Sequence, residues 1–284
     1  MIRIIVLLLF GYWPLASYAQ LRGDDWHDIP RSEVDTALLT PRAARLLDDP
    51  RFSWKHANTR HFVIHYERQM FAAKVARQAE FFYTFIGQDL TSARDRFSQR
   101  SHIFVFRDDR DWQHFIQTYG IQTEWAFSLV EGPVMYLQQA DTTRSSADVL
   151  GHEMTHLVFN RFYEGRLPLW ANEGTAEWYG EFAYAAFKGI KKSKRQVFRK
   201  LPESYPLELL LVMPSYPLDR RAVQVFYETS KFLVGFLQLQ YPQEKFEPFI
   251  ADLAAGKPVE DALRRHYGLQ SVAELETAFK KFVR

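Results

Sequence analysis

Residues 152–156 read His-Glu-Met-Thr-His, and a second acidic cluster comes after it at Trp170-Ala171-Asn172-Glu173-Gly174-Thr175-Ala176-Glu177. No other feature constrains the fold as tightly. Two histidines four apart on a helix share one face, because a turn takes 3.6 residues. Val149, Leu150, Met154, Leu157, Val158 and Phe159 make that helix strongly apolar. Imidazoles on such a face need partners, and a shared metal ion supplies one. A lone histidine there reads as a satisfied core residue, but a pair flanking Glu153 reads as a metal site with a base beside it. A carboxylate from another helix would complete three protein ligands and leave a position open, the mark of a catalytic rather than a structural zinc.

Glu164, Glu173 and Glu177 are the candidates for that carboxylate. Glu164 falls two turns beyond His156, near the predicted helix end, and is poorly placed to turn back. Glu173 lies far enough on for the chain to return antiparallel, with Gly174 permitting close helix approach. Glu177, one turn later on the same face, can hydrogen-bond a liganding histidine through its other ring nitrogen and fix its tautomer. Its plain alternative is a surface acid.

Composition narrows the class. The 284 residues are enough for one large domain or two small ones, and 47% apolar with 25% charged residues describes a globular chain. The net charge of +2 argues against a general nucleic-acid binder. The 24 Phe and 14 Tyr point to a bulky core or an aromatic-lined cleft, the core being the plainer reading. Arg3, the apolar run Ile4 to Phe10, and Ser17-Tyr18-Ala19 predict a signal peptide over 1–19, cut after Ala19. An uncleaved anchor is the alternative, though the run is short for spanning and Pro14 interrupts the residues beyond it. No later stretch is apolar enough to span a bilayer. With no cysteine there are no disulfides and no lipidated cysteine. Together with the signal this predicts export across the inner membrane to a bacterial periplasm.

Residues 20–58 read as a polar, turn-rich extension with a short helix near Arg42–Leu47. Strands are expected at 61–66, 101–106 and 132–138, the last an edge strand because Pro133 near its start cannot donate to a ladder. Helices are expected at 69–86, 109–119, from Ser145 to Phe162, from Pro168 onward, and at 223–240, 247–255, 258–266 and 271–283. A small mixed sheet followed by helices predicts an α+β fold, with an α+β subdomain at 59–140 and a helical one at 141–284.

His152-Glu153-x-x-His156 with Trp-x-Asn-Glu-Gly-x-Ala-Glu at 170–177 resembles the gluzincin metallopeptidases, and most closely the peptidase MA-like bacterial families. The motifs span 148–180, with a looser similarity of layout over 60–284. The resemblance implies a zincin-like fold and one zinc ion per chain, held by His152, His156 and Glu173, with Glu177 orienting a histidine. Zinc acidifies a bound water and polarises the scissile carbonyl, and Glu153 is the general base. Tyr227, in Val225-Phe226-Tyr227-Glu228-Thr229-Ser230, is the expected oxyanion donor, since related families carry a Tyr-x-x-Ser segment there. Its plain reading is an ordinary core or surface tyrosine, and Tyr216 and His266 are weaker alternatives. Val134, Met135 and Tyr136, on the strand before the motif helix, would bind an extended peptide or protein substrate by strand addition.

Aminopeptidase relatives carry Gly-x-Met-Glu-Asn on that strand, whose glutamate grips the substrate amino terminus. Here the sequence is Gly132-Pro133-Val134-Met135-Tyr136, so an endopeptidase is expected. The basic stretch 188–200 reads as a solvated loop, or as a contact to an anionic envelope surface. Two other functions fit the same residues. One is a non-catalytic peptide- or protein-binding module stabilised by its metal. The other is a zinc amidase acting on cell-wall peptides.

Overall fold

The computed structural model describes residues 26–90, 99–121, 127–138, 146–163, 166–191 and 200–283. The expected signal segment, Glu164 and most of the basic stretch lie outside them. Six strands form one mixed sheet: β1 (His27–Ile29), β2 (Lys55–Asn58), β3 (Phe62–Tyr66), β4 (Ser101–Phe106), β5 (Ser128–Glu131) and β6 (Val134–Gln138). Their spatial order is β1-β2-β3-β4-β6-β5, with β3, β4 and β6 parallel and the other neighbours antiparallel.

Helices cover both faces of this sheet. Val63, Phe104, Phe106, Val134 and Tyr136 pack against α1 (Pro41–Leu47) and α3 (Asp109–Thr118). Ile64, Ile103, Val105, Met135 and Leu137 point the other way, into a core shared with α2 (Gln69–Asp89), α4 (Ser146–Phe162) and α5 (Leu169–Phe187). Burial on both sides explains why β3 and β4 read as unbroken apolar and aromatic runs rather than alternating ones. The chain ends in α6 (Leu207–Leu210), α7 (Arg220–Gln240), α8 (Phe246–Ala254), α9 (Val259–Tyr267) and α10 (Val272–Phe282). The result is the expected mixed α+β architecture with a mostly helical C-terminal part. Among the described residues no helix is long and apolar enough to cross a membrane.

Three expectations are corrected. Residues 20–58 are not simply an extension, because β1 and β2 from this stretch pair with each other and with β3 in the main sheet. The 132–138 strand is not an edge. β6 lies between β4 and β5, and Val134, Met135 and Tyr136 are completely buried. The edge on this side of the sheet is β5, joined to β6 by the turn Gly132-Pro133, where a proline forfeits no ladder bond and Gly132 adopts φ +57°. Finally, residues on either side of 140 share one continuous core, so that boundary does not separate two cores.

Three helices meet through glycines. A Cβ on Gly151 of α4 would stand 3.1 Å from the Cα of Gly180 on α5. A Cβ on Gly174 of α5 would stand 2.4 Å from the carbonyl oxygen of Ser230 on α7. α5 is buried around most of its circumference, as expected of a helix apolar on nearly every side.

On the α1/α3 side, three buried histidines from adjacent strands bond in series. His56 Nδ1 lies 2.9 Å from His65 Nδ1, and His65 Nε2 lies 2.9 Å from His102 Nδ1. Burial, with Arg31 nearby, pushes His56 down to about 4. Burial likewise takes His102 to about 4, and it holds His65, beside its two histidine neighbours, well below the usual range. The three rings are therefore neutral near pH 7.

Candidate metal centre

α4 presents His152 and His156 on one face, and α5 brings Glu173 across from them. His152 Nε2 and His156 Nε2 are 3.0 Å apart. Glu173 Oε2 lies 3.4 Å from the first and 3.6 Å from the second. Ligands at 2.0–2.1 Å in a tetrahedron stand about 3.3 Å apart, so this triangle has the size a zinc ion requires. Among the described residues this is the only group of three or more such side chains close enough to hold a metal.

The outer atom of each side chain is held by a neighbour, leaving the inner atom to face the others. His152 Nδ1 lies 3.1 Å from Glu177 Oε1. His156 Nδ1 lies 3.2 Å from Asn172 Oδ1. Both acceptors hold a proton on Nδ1, so Nε2 is the nitrogen left to bind an ion. Glu173 Oε1 accepts from the Tyr216 hydroxyl at 2.7 Å and from Asn172 Nδ2 at 3.3 Å, which leaves Oε2 directed at the imidazoles. The donor chemistry and its orientation both fit zinc.

The electrostatics agree. Burial disfavours charge on His152, but hydrogen bonds to Glu173 and Glu177 and the field of Glu153 overcome it and raise its pKa to about 10. Burial likewise opposes the Glu173 carboxylate, yet the two histidines hold it well below the usual carboxylate range. Both shifts express one preference, for positive charge among these carboxylates.

Glu153 points toward the sheet edge. Its Oε1 accepts from Ser128 Oγ on β5 at 2.7 Å, so the strand beside α4 fixes the carboxylate between the two motif histidines. Tyr227 on α7 lies with its ring 6.4 Å from that of His152 and stacks on Tyr216 at 6.0 Å. Burial, reinforced by Glu173, raises the Tyr227 phenol above its ordinary value, so it keeps its proton. His266 is bonded to Asp252 at 2.8 Å and belongs to the α8/α9 packing.

The structure thus brings together His152, Glu153, His156, Glu173, Glu177 and Tyr227, and it leaves Val134, Met135 and Tyr136 in the sheet interior. Sequence reasoning missed Ser128, Asn172 and the contact of Tyr216 with Glu173. Asn172 stood inside the motif that singled out Glu173. Ser128 was hidden in a four-residue strand.

No family model and no curated protein matches the chain. Among solved structures it is similar to a point mutant of a two-domain M1 zinc metallopeptidase bound to L-arginine, at 13% identity and a TM-score of 0.38, over 78% of this chain and 49% of that one. The chain therefore spans about half the length of that structure. A likeness this slight carries neither fold nor activity from one chain to the other.

Proposed function

We propose that this chain is an exported zinc metallopeptidase of zincin type that cuts within polypeptide chains. The observation that carries the reading is the triangle of His152 Nε2, His156 Nε2 and Glu173 Oε2 with the Glu153 carboxylate beside it. A purely structural metal site has no use for that adjacent base.

When bound, zinc supplies a Lewis acid and brings the pKa of a coordinated water to about 7. Glu153, steadied by Ser128, takes a proton from the attacking water and passes it to the leaving amine. Tyr227 keeps its phenolic proton and donates to the developing oxyanion. Glu177 and Asn172 keep both imidazoles in the tautomer that offers Nε2 inward.

Among the described residues β5 is the edge strand beside α4, and it is where an extended peptide would add. The endopeptidase reading rests on where the acids are committed. Glu131 on β5 pairs with Arg42 at 2.9 Å, Glu177 with His152 at 3.1 Å, and Glu153 with Ser128 at 2.7 Å. Among the described residues that leaves no uncommitted carboxylate here to grip a substrate amino terminus.

The test is metal analysis of the purified protein together with cleavage of an unfolded protein substrate. Wild type should hold about one zinc per chain and cleave. His152→Ala should lose both properties, and Glu153→Gln should keep the zinc and lose the cleavage. Undiminished cleavage by Glu153→Gln would remove Glu153 from its role. Release of cell-wall peptides with no cleavage of proteins would redirect the reading to an amidase.

A further inference from the structure

Tyr216 does not sit on either motif helix. It lies in the 211–219 segment between α6 and α7, and the residue is 45% exposed while its hydroxyl reaches Glu173, which is 3% exposed. Leu211 and Met213 pack on the core at the start of the segment and Asp219 caps α7 at its end, but the stretch between them is loosely held. Val212 is 75% exposed and Leu218 is fully exposed. Among the described residues no backbone hydrogen bond is made by 214–218. Within 214–218 the anchor is Tyr216, stacked on Tyr227, edge-on to Phe226 at 5.9 Å, and bonded to Glu173 at 2.7 Å.

The bond falls on a particular atom. Glu173 Oε2 faces the imidazoles and Oε1 faces Tyr216. A carboxylate with one oxygen anchored cannot rotate its other oxygen away without breaking that anchor. Asn172 also reaches Oε1, but at 3.3 Å its bond is longer, and the same side chain already serves His156. The short phenol–carboxylate bond is charge-assisted and stronger than a neutral one.

We propose that Tyr216 is a positioning residue for Glu173 and that its segment latches the metal ion in place, so that how long the ion stays depends on a loop outside the motif. The proposal rests on the metal reading above. Partners of this kind typically change metal affinity by about 10–100-fold, and here the effect should appear in the rate of metal loss.

The zinc-loaded full chain is mixed with excess of a chromogenic chelator, and transfer of zinc is followed over time. Tyr216→Phe should lose zinc about ten-fold faster or more, and Tyr216→Ser should do the same. Leu218→Ser, on the same segment, should match wild type. The metal-free melting temperatures of wild type, Tyr216→Phe and Leu218→Ser should agree, which separates positioning from a general loosening of the fold. Zinc loss from both Tyr216 variants within two-fold of wild type, with wild type carrying one zinc, overturns this inference alone. A wild type that carries no zinc overturns the metal reading and this inference with it.

Discussion

Gly174→Ala tests the helix packing that places the site. The added methyl carbon would stand 2.4 Å from the Ser230 carbonyl oxygen, 2.6 Å from its carbonyl carbon and 3.1 Å from its Cβ. Ordinary contacts of this kind lie near 3.5–4.0 Å, so α5 and α7 must part by roughly 1 Å. Two of the three obstructing atoms are backbone, and a rotamer change cannot move them. α7 buries Phe226, Thr229, Ser230 and Leu233 on its packed side, so a retreat also loosens contacts along its length. Overpacking generally costs about 1–3 kcal/mol, and a clash with helix backbone belongs at or above the top of that range, about 3 kcal/mol. Folded domains hold roughly 5–15 kcal/mol in total, so the loss is large. Gly87→Ala in α2 is the contrast, because a Cβ there meets nothing within 4 Å. It should stabilise by about 0.5 kcal/mol, from the lower conformational entropy of an unfolded alanine. Urea unfolding of the metal-free proteins, followed by circular dichroism, reads both. A Gly174→Ala midpoint equivalent to less than about 1 kcal/mol of loss would refute the close approach of α5 to α7.

Other predictions concern the base, the ligands and the buried histidines. Ser128→Ala should lower the rate of cleavage by roughly ten-fold through loss of orientation of Glu153, while zinc content stays at one per chain; an unchanged rate would free Glu153 from β5. Glu177→Gln keeps an acceptor opposite His152 Nδ1 but removes the charge, so zinc should bind about ten-fold more weakly in competition with a chelator of known affinity. His102 has a folded pKa of about 4 against about 6.5 when unfolded, so the unfolded chain takes the proton first. Its contribution is complete above about pH 6.5 and falls by about 3 kcal/mol as the pH drops to 4. Urea midpoints measured across that window check the sign, and a stability that rises on acidification would contradict a neutral buried His102.

What the sequence revealed and what it hid divide along physical lines. His152 and His156 were legible because helical periodicity turns spacing into direction, and the apolar residues around them made a polar face conspicuous; Glu173 was favoured by the length of chain before it and by the resemblance of its motif to the gluzincins. α2, α3 and the four long helices after α6 declared themselves by the same period, whereas the four-residue α6 was not foreseen. β1, β2 and β5 were not legible, since three- and four-residue strands such as His27–Ile29 carry too few side chains to show an alternation. Pro133 misled because proline is excluded equally from a ladder and from need of one, and only the pairing of Glu131 with Val134 shows that it turns a hairpin. Tyr216 obeys no period at all. Its place beside Glu173 is set by how α7 docks, which is a property of the packed molecule rather than of the residues around position 216.

The row of histidines in the sheet also restricts which wrong structures the chain can adopt. His56 stands opposite His65 in the β2–β3 pairing, and His65 reaches His102 across the parallel pairing of β3 with β4. Strand side chains alternate between faces, so slipping β3 by one residue would swing His65 to the α2 side and break both contacts together. Each stranded ring would then be a buried polar group without a partner, at roughly 1–3 kcal/mol apiece. An all-aliphatic face would have tolerated that slip with little penalty. The imidazoles thus work as a key to strand alignment, and their value lies in the competing folds they exclude rather than in what they add to the native one.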